Sequence, residues 1–266
     1  MFMQTITGAI LGDFVGSVYE AAGIKGMMLP LVLTTSHITD DSMMTLATYW
    51  ALTKEQSFAP WLKYACTQYP QVGFGATMEQ WAAGESPVYL NANSNGAAIR
   101  ISPIASLDTD LHTVLALVEE NAALTHTGED AITGARALAE AIYLARQGIS
   151  KDTIRSTIER TYAYSLDYDI DALFHHFEFT TAAAETVPVA ICLGLIARDP
   201  IHCLRLGLHV GGDTDSITSM ATALAASFPG AHLPTEETQR LLSYLALHYP
   251  EFVRVESPLQ VPLYTH

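Results

Sequence analysis

The chain has 266 residues, 49% of them hydrophobic, and carries no Ser/Gly-rich linker, charge block or low-complexity stretch, so one domain spanning 1–266 with a large core is expected. Thirteen Lys and Arg against 28 Asp and Glu give a formal charge of -15, and without any basic cluster this argues against nucleic acid or an anionic membrane surface as partner. Cys66, Cys192 and Cys203 lack CxxC spacing, which argues against a disulfide framework or a structural zinc site. With no basic leader at Met1 to Thr5 and no apolar run of membrane-spanning length, a cytoplasmic monomer is expected.

Apolar residues at three- and four-residue steps predict helices near 5–22, 42–53, 58–68, 110–123, 129–147, 150–161, 182–197, 200–208, 216–228 and 235–248. In the first of these, Gly8, Gly12 and Gly16 fall at i, i+4 and i+8, and Glu20 continues the same ridge. A glycine inside a helix costs about 1 kcal/mol relative to alanine, so three on one ridge imply that another helix or a ligand needs the space. The β-branched run from Leu31 to Thr35 is too isolated to build a sheet. Irregular segments are expected at 23–38, 85–104 and 163–180 and in the C-terminal tail. The helix from 216 is built from small residues, including Ser219, Ala221, Thr222, Ala223, Ala225 and Ala226, and suits a central position. The fold class is all-α, a compact multi-helix bundle.

Two acidic loops precede helices: Thr39-Asp40-Asp41-Ser42 and Gly211-Gly212-Asp213-Thr214-Asp215-Ser216. Asp and Ser in such positions are favoured helix caps, and for either loop alone capping is a sufficient explanation. The second loop asks for more. Gly-Gly permits a tight turn and two Asp at i and i+2 can reach one cation, whereas capping needs only one. Four carboxylates and up to two hydroxyls form a hard-oxygen ligand set, suited to magnesium or manganese rather than zinc. The further ligands and terminal Glu of an EF-hand are missing.

Between the loops lie a Ser94-Asn95-Gly96 turn, followed by Ala97-Ala98-Ile99-Arg100, and a Thr125-His126 pair. A helix start after Asn95-Gly96 would present N–H groups to an anion, although Asn-Gly is also a common turn dipeptide. Arg100 could neutralise a phosphate or pair with a structural carboxylate. His126 before a helix is, in isolation, a capping or surface residue.

Taken in order, Gly8-x3-Gly12-Asp13-x2-Gly16-x3-Glu20, Thr39 to Leu46, Ser94 to Arg100, Thr125-His126 and Gly211 to Ser216 resemble the ADP-ribosylglycohydrolase family over residues 5 to 230. The resemblance implies an all-α domain with two divalent cations, Mg2+ or Mn2+, in a central cleft. It assigns Thr39, Asp40, Asp41, Asp213, Asp215 and Ser216 as metal ligands, with Ser216 where the family usually has Thr. Glu20 is the implied catalytic group that positions water or moves a proton. Ser94, Asn95, Gly96, Ala97, His126, Gly211 and Gly212 are the implied substrate contacts, and Asp13 is read as structural. The implied reaction is hydrolysis of the bond joining ADP-ribose to a protein side chain or small molecule, through a species of oxocarbenium character.

A silent ADP-ribose-binding member, or a hydrolase of another ribosylated small molecule, are the alternatives. Phe179, Tyr168 and Tyr89 are candidates for stacking on adenine. One departure is visible: the extra aspartate that some members carry shortly before the Asn-Gly turn has no counterpart between Ser86 and Ile99, and Glu85 is the nearest acid.

Overall fold

The computed structural model describes residues 2–54, 56–84 and 92–250. Thirteen α-helices follow one another among them: α1 (Phe2–Ala22), α2 (Asp40–Thr53), α3 (Phe58–Gln68), α4 (Ala76–Ala82), α5 (Ser102–Ala105), α6 (Leu111–Ala123), α7 (Glu129–Arg146), α8 (Lys151–Tyr162), α9 (Ile170–His176), α10 (Ala183–Ile196), α11 (Pro200–Val210), α12 (Thr214–Ala225) and α13 (Thr235–His248). No strand occurs among the described residues, and Leu31 to Thr35 is turn and coil. A lone antiparallel bridge joins Ser94 to Ala182.

The glycine ridge sets the centre of the bundle. Every residue of α12 is buried, and α1 makes its most extensive contact with this helix. A Cβ on Gly8 would lie 2.9 Å from the Thr222 carbonyl oxygen, one on Gly12 would lie 2.6 Å from Ser219 Cα, and one on Gly16 would lie 2.5 Å from Asp215 Cα. The three glycines therefore let two backbones approach more closely than any side chain allows, and the helical propensity they sacrifice is offset by that packing. The next position on the ridge, Glu20, consequently emerges beside Asp215. Helices α10 and α11 flank α12, while α7 packs on α6 and α10, and α2 on α3.

Three short helices occupy stretches without legible periodicity. Helices α4 and α5 lie between 68 and 106, and α9 lies within the expected irregular segment 163–180. Helix α9 has seven residues, none buried, so it lacks the apolar stripe that periodicity detects. Its start is marked instead by Asp169, whose side chain accepts from the N–H groups of Asp171 and Ala172. Cys66, Cys192 and Cys203 are free and buried. No helix among the described residues is long and apolar enough to cross a membrane.

Candidate active site

The two acidic loops face one cleft of about 460 Å³, lined among others by Glu20, Asp40, Asp41, Asp213, Asp215 and Ser216. Local structure accounts for how each loop presents its carboxylates. The N-cap of α2 is Thr39, whose side chain accepts from Asp41 N–H, so Asp40 and Asp41 are not needed as caps. Asp13 holds this turn from below: Thr39 N–H and Oγ1 donate to it at 2.9 Å each, Ser42 N–H donates at 3.1 Å, and Ser42 Oγ donates as well. The structural reading of Asp13 agrees with this geometry.

At the second loop, Gly211 and Gly212 have φ of 71° and 75°, which side chains rarely adopt. They also lack room for one, because the Lys25 chain covers Gly211 and the Phe177 ring covers Gly212. Asp213 occupies the N-cap position of α12 but makes no capping hydrogen bond. It accepts instead from Asn95 Nδ2 at 2.7 Å.

Electrostatics distinguish this cluster from ordinary helix ends. Among the described residues, Glu20, Asp213 and Asp215 each place one carboxylate oxygen within 4.8 Å of the others. Burial, reinforced by Asp215, pushes Asp213 up to about 8, and burial with the Asp13 charge pushes Asp40 up to about 7. Burial also raises Asp41, with Asp215 adding to it, and raises Asp215, which faces the Glu20 carboxyl. Asp41 Oδ2 and Glu20 Oε2 are buried with no hydrogen-bond partner. Buried oxygens of one charge sign with unfilled lone pairs are costly to leave unpaired. An all-oxygen, anionic donor set of this kind fits a hard divalent cation such as Mg2+ or Mn2+.

The remaining positions divide into two groups. Ser94, Asn95, Gly96 and His126 line the cleft, with Asn95 to Ala97 forming a 3-10 turn rather than the start of an α-helix. Thr39, Ala97, Gly211 and Gly212 do not line it. Thr39 is engaged by Asp13, Ala97 is buried beneath the turn, and the two glycines are covered by Lys25 and Phe177. Arg100 is fully buried, touches no phosphate-accessible surface and has no carboxylate partner among the described residues, so neither role considered for it from sequence applies. Its Nε and Nη2 donate to Asn121 and Thr125 near the C-terminal end of α6, where the helix dipole favours a cation.

Phe179, 62% exposed, lines the cleft, while Tyr168 does not, and Tyr89 and Glu85 lie outside the described residues. Gly73, Gly75, Met78, Ala92, Asn93 and Thr181 also line the cleft, from segments that carry no motif, so nothing in the sequence marked them, while Met44, Ile99 and Thr125 line it from within the motif segments. Lys25 was missed for the same reason: its Nζ donates to the Phe177 carbonyl while its methylenes pack on Gly211.

The family model for ADP-ribosylglycohydrolase matches residues 2–254. The chain belongs to the ADP-ribosylglycohydrolase family. A mouse relative, ADP-ribosylhydrolase ARH3, is 26% identical over 90% of this chain and 86% of its own length. An Escherichia coli K12 relative, the uncharacterized protein YegU, is 29% identical over 53% of this chain, and the match spans only 52% of that protein. A solved structure titled ADP-ribosylglycohydrolase-related protein complex superposes with a TM-score of 0.66 over 91% of this chain and 97% of that one, at 21% identity, and so shares the fold. The cleft described above therefore sits in a family of glycohydrolases.

Proposed function

We propose that this ADP-ribosylglycohydrolase releases ADP-ribose from a modified side chain or small acceptor, with magnesium or manganese held by Asp40, Asp41, Asp213, Asp215 and Ser216. The observation that carries the reading is the convergence of Glu20, Asp213 and Asp215, beside the unpartnered oxygens of Glu20 and Asp41, on a cleft that also contains His126 and the Asn95 turn. Bound cations would supply positive charge to the ribose hydroxyls and lower the pKa of a nearby water. The protein's own groups supply position and proton handling. Glu20, fixed on the α1 ridge against α12 and lining the cleft, is the acceptor for a proton from water attacking the anomeric carbon. Asn95 ties the substrate wall to the metal loop through Asp213, so the sugar and the phosphates are referred to one frame.

Phe179 is the aromatic platform for the adenine. It is the one exposed large aromatic at the cleft among the described residues, and its segment is fastened to the metal loop through Lys25 and Phe177.

The test is release of ADP-ribose from Arg-, Ser- and O-acetyl-linked substrates with and without Mg2+ or Mn2+. Release only with metal is expected; bound metal without release from any substrate favours a silent ADP-ribose-binding member. In the same assay Glu20→Gln should lower kcat by about 10²- to 10⁴-fold while binding of ADP-ribose by calorimetry stays intact. Unchanged turnover would remove Glu20 from the chemistry.

A further inference from the structure

Behind the cleft wall a fully buried guanidinium is joined to a cleft hydroxyl through two residues. Arg100 Nη2 lies 2.8 Å from Thr125 Oγ1, Thr125 Oγ1 lies 2.8 Å from His126 Nδ1, and His126 Nε2 lies 2.7 Å from Ser94 Oγ. We propose that Arg100, acting through Thr125, fixes His126 as the tautomer protonated on Nε2, and thereby leaves the Ser94 hydroxyl proton free to bond an oxygen of the substrate. This rests on the cleft being the ADP-ribose site.

The direction of each bond follows from what each group can donate. A guanidinium has donors only, so Thr125 Oγ1 must accept from Arg100. Thr125 has one hydroxyl proton, is 3% exposed at the edge of the cleft, and among the described residues has no acceptor within hydrogen-bond distance except His126 Nδ1. Were Nδ1 protonated, it would donate to Thr125 and leave that nearly buried hydroxyl proton without a protein acceptor among the described residues, a state native structures avoid. With Nδ1 bare, Thr125 donates to it, and each proton between Arg100 Nη2 and Ser94 Oγ has an acceptor. The proton on Nε2 is then given to Ser94 Oγ, whose own hydrogen meets no other group of the described residues and whose side chain lines the cleft.

The doubly protonated ring is disfavoured independently. Burial and the Arg100 charge push His126 down to about 3, which favours the neutral ring near neutral pH. A carboxylate in place of Arg100 would accept the Thr125 proton and reverse the whole chain. Arg100 and Thr125 are positioning residues here, and Ser94 is the group that touches substrate.

The experiment uses the full chain, metal-loaded and labelled with 15N-histidine. Long-range 1H–15N spectra between pH 6 and 8 are expected to show His126 with a bare Nδ1 and a protonated Nε2. Thr125→Val removes the hydroxyl at nearly constant volume; it should abolish the single-tautomer signature and raise KM for the ADP-ribosylated substrate, or Kd for free ADP-ribose, by about tenfold with a smaller change in kcat. Thr125→Ser should restore both. A proton on Nδ1 in the parent spectrum overturns the proposal even if Thr125→Val does not fold, and so does a folded Thr125→Val with unchanged tautomer and affinity. Failure of the enzymatic reading would appear separately, as no release from any substrate with the tautomer spectrum unaffected.

Discussion

Asp215→Asn is expected to abolish metal-dependent release of ADP-ribose and, at the same time, to raise the melting temperature of the metal-free protein. The side chain is 8% exposed and shares its surroundings with Glu20 and Asp213, so without a cation its charge is opposed by burial and by its neighbours. An amide of the same shape removes that charge and can still accept from Ser216 N–H, as Asp215 Oδ1 does at 2.7 Å. With metal the order reverses. At a hundredfold excess over Kd, binding stabilises the native parent by about 2.7 kcal/mol, a gain the variant forfeits.

The metal-free parent should also lose stability as pH rises. Asp40 and Asp213, raised to about 7 and about 8, bind protons in the folded chain that they release from the unfolded chain. Their contribution is therefore most favourable in acid and fades between the ordinary carboxylate range and about pH 8. Saturating Mn2+ should flatten that slope. Calorimetric scans of parent and variant, with chelator and with Mn2+, check all of this; an equal metal-induced shift in both proteins would sink the assignment of Asp215 as a ligand.

Gly16→Ala is expected to damage stability and metal binding together, although alanine is the better helix former by about 1 kcal/mol. The added Cβ would meet Asp215 Cα at 2.5 Å and Asp215 N at 2.7 Å, and both atoms are backbone that cannot rotate away. Overpacking of a rigid contact costs typically 1–3 kcal/mol, enough to overcome the propensity gain and to lower Tm by several degrees in a chain of this size. The displaced group is Asp215 itself. Metal affinity should thus fall in a variant that changes no ligand, measured by Mn2+ titration. The control is Gly23→Ala: Gly23 has φ of 61° with no atom near an added Cβ, so any cost there is local strain and the metal affinity should not move.

Much of the architecture was legible because long helices bury a stripe. The ten predicted helices appear with ends shifted by a few residues, as in α12, which starts at Thr214 rather than 216. Helices α4, α5 and α9 were illegible because they are too short to repeat a period: α5 has four residues, all buried, and α9 has seven, none buried. In the cleft, the motif residues with special chemistry could be named, whereas Met78, Asn93 and Thr181 line it only because their segments fold against the loops. Arg100 shows the opposite failure. A charge next to an Asn-Gly turn suggested a phosphate, but the chain turns it inward to the end of α6.

The sequence by itself determined the helical class, the small-residue ridge on α1, the oxygen character of the donor set and, through motif order, the family. These are properties of composition and of spacing within one element, where the helical repeat decides which residues share a face. Only the tertiary structure decided that Thr39 rather than the aspartates caps α2, that Glu20 stands with Asp213 and Asp215, and that Arg100 supports His126 from behind. Each of these depends on the distance between separate elements, which packing sets; here the close approach of α1 to α12 brings a glutamate and a loop from opposite ends of the chain to one point.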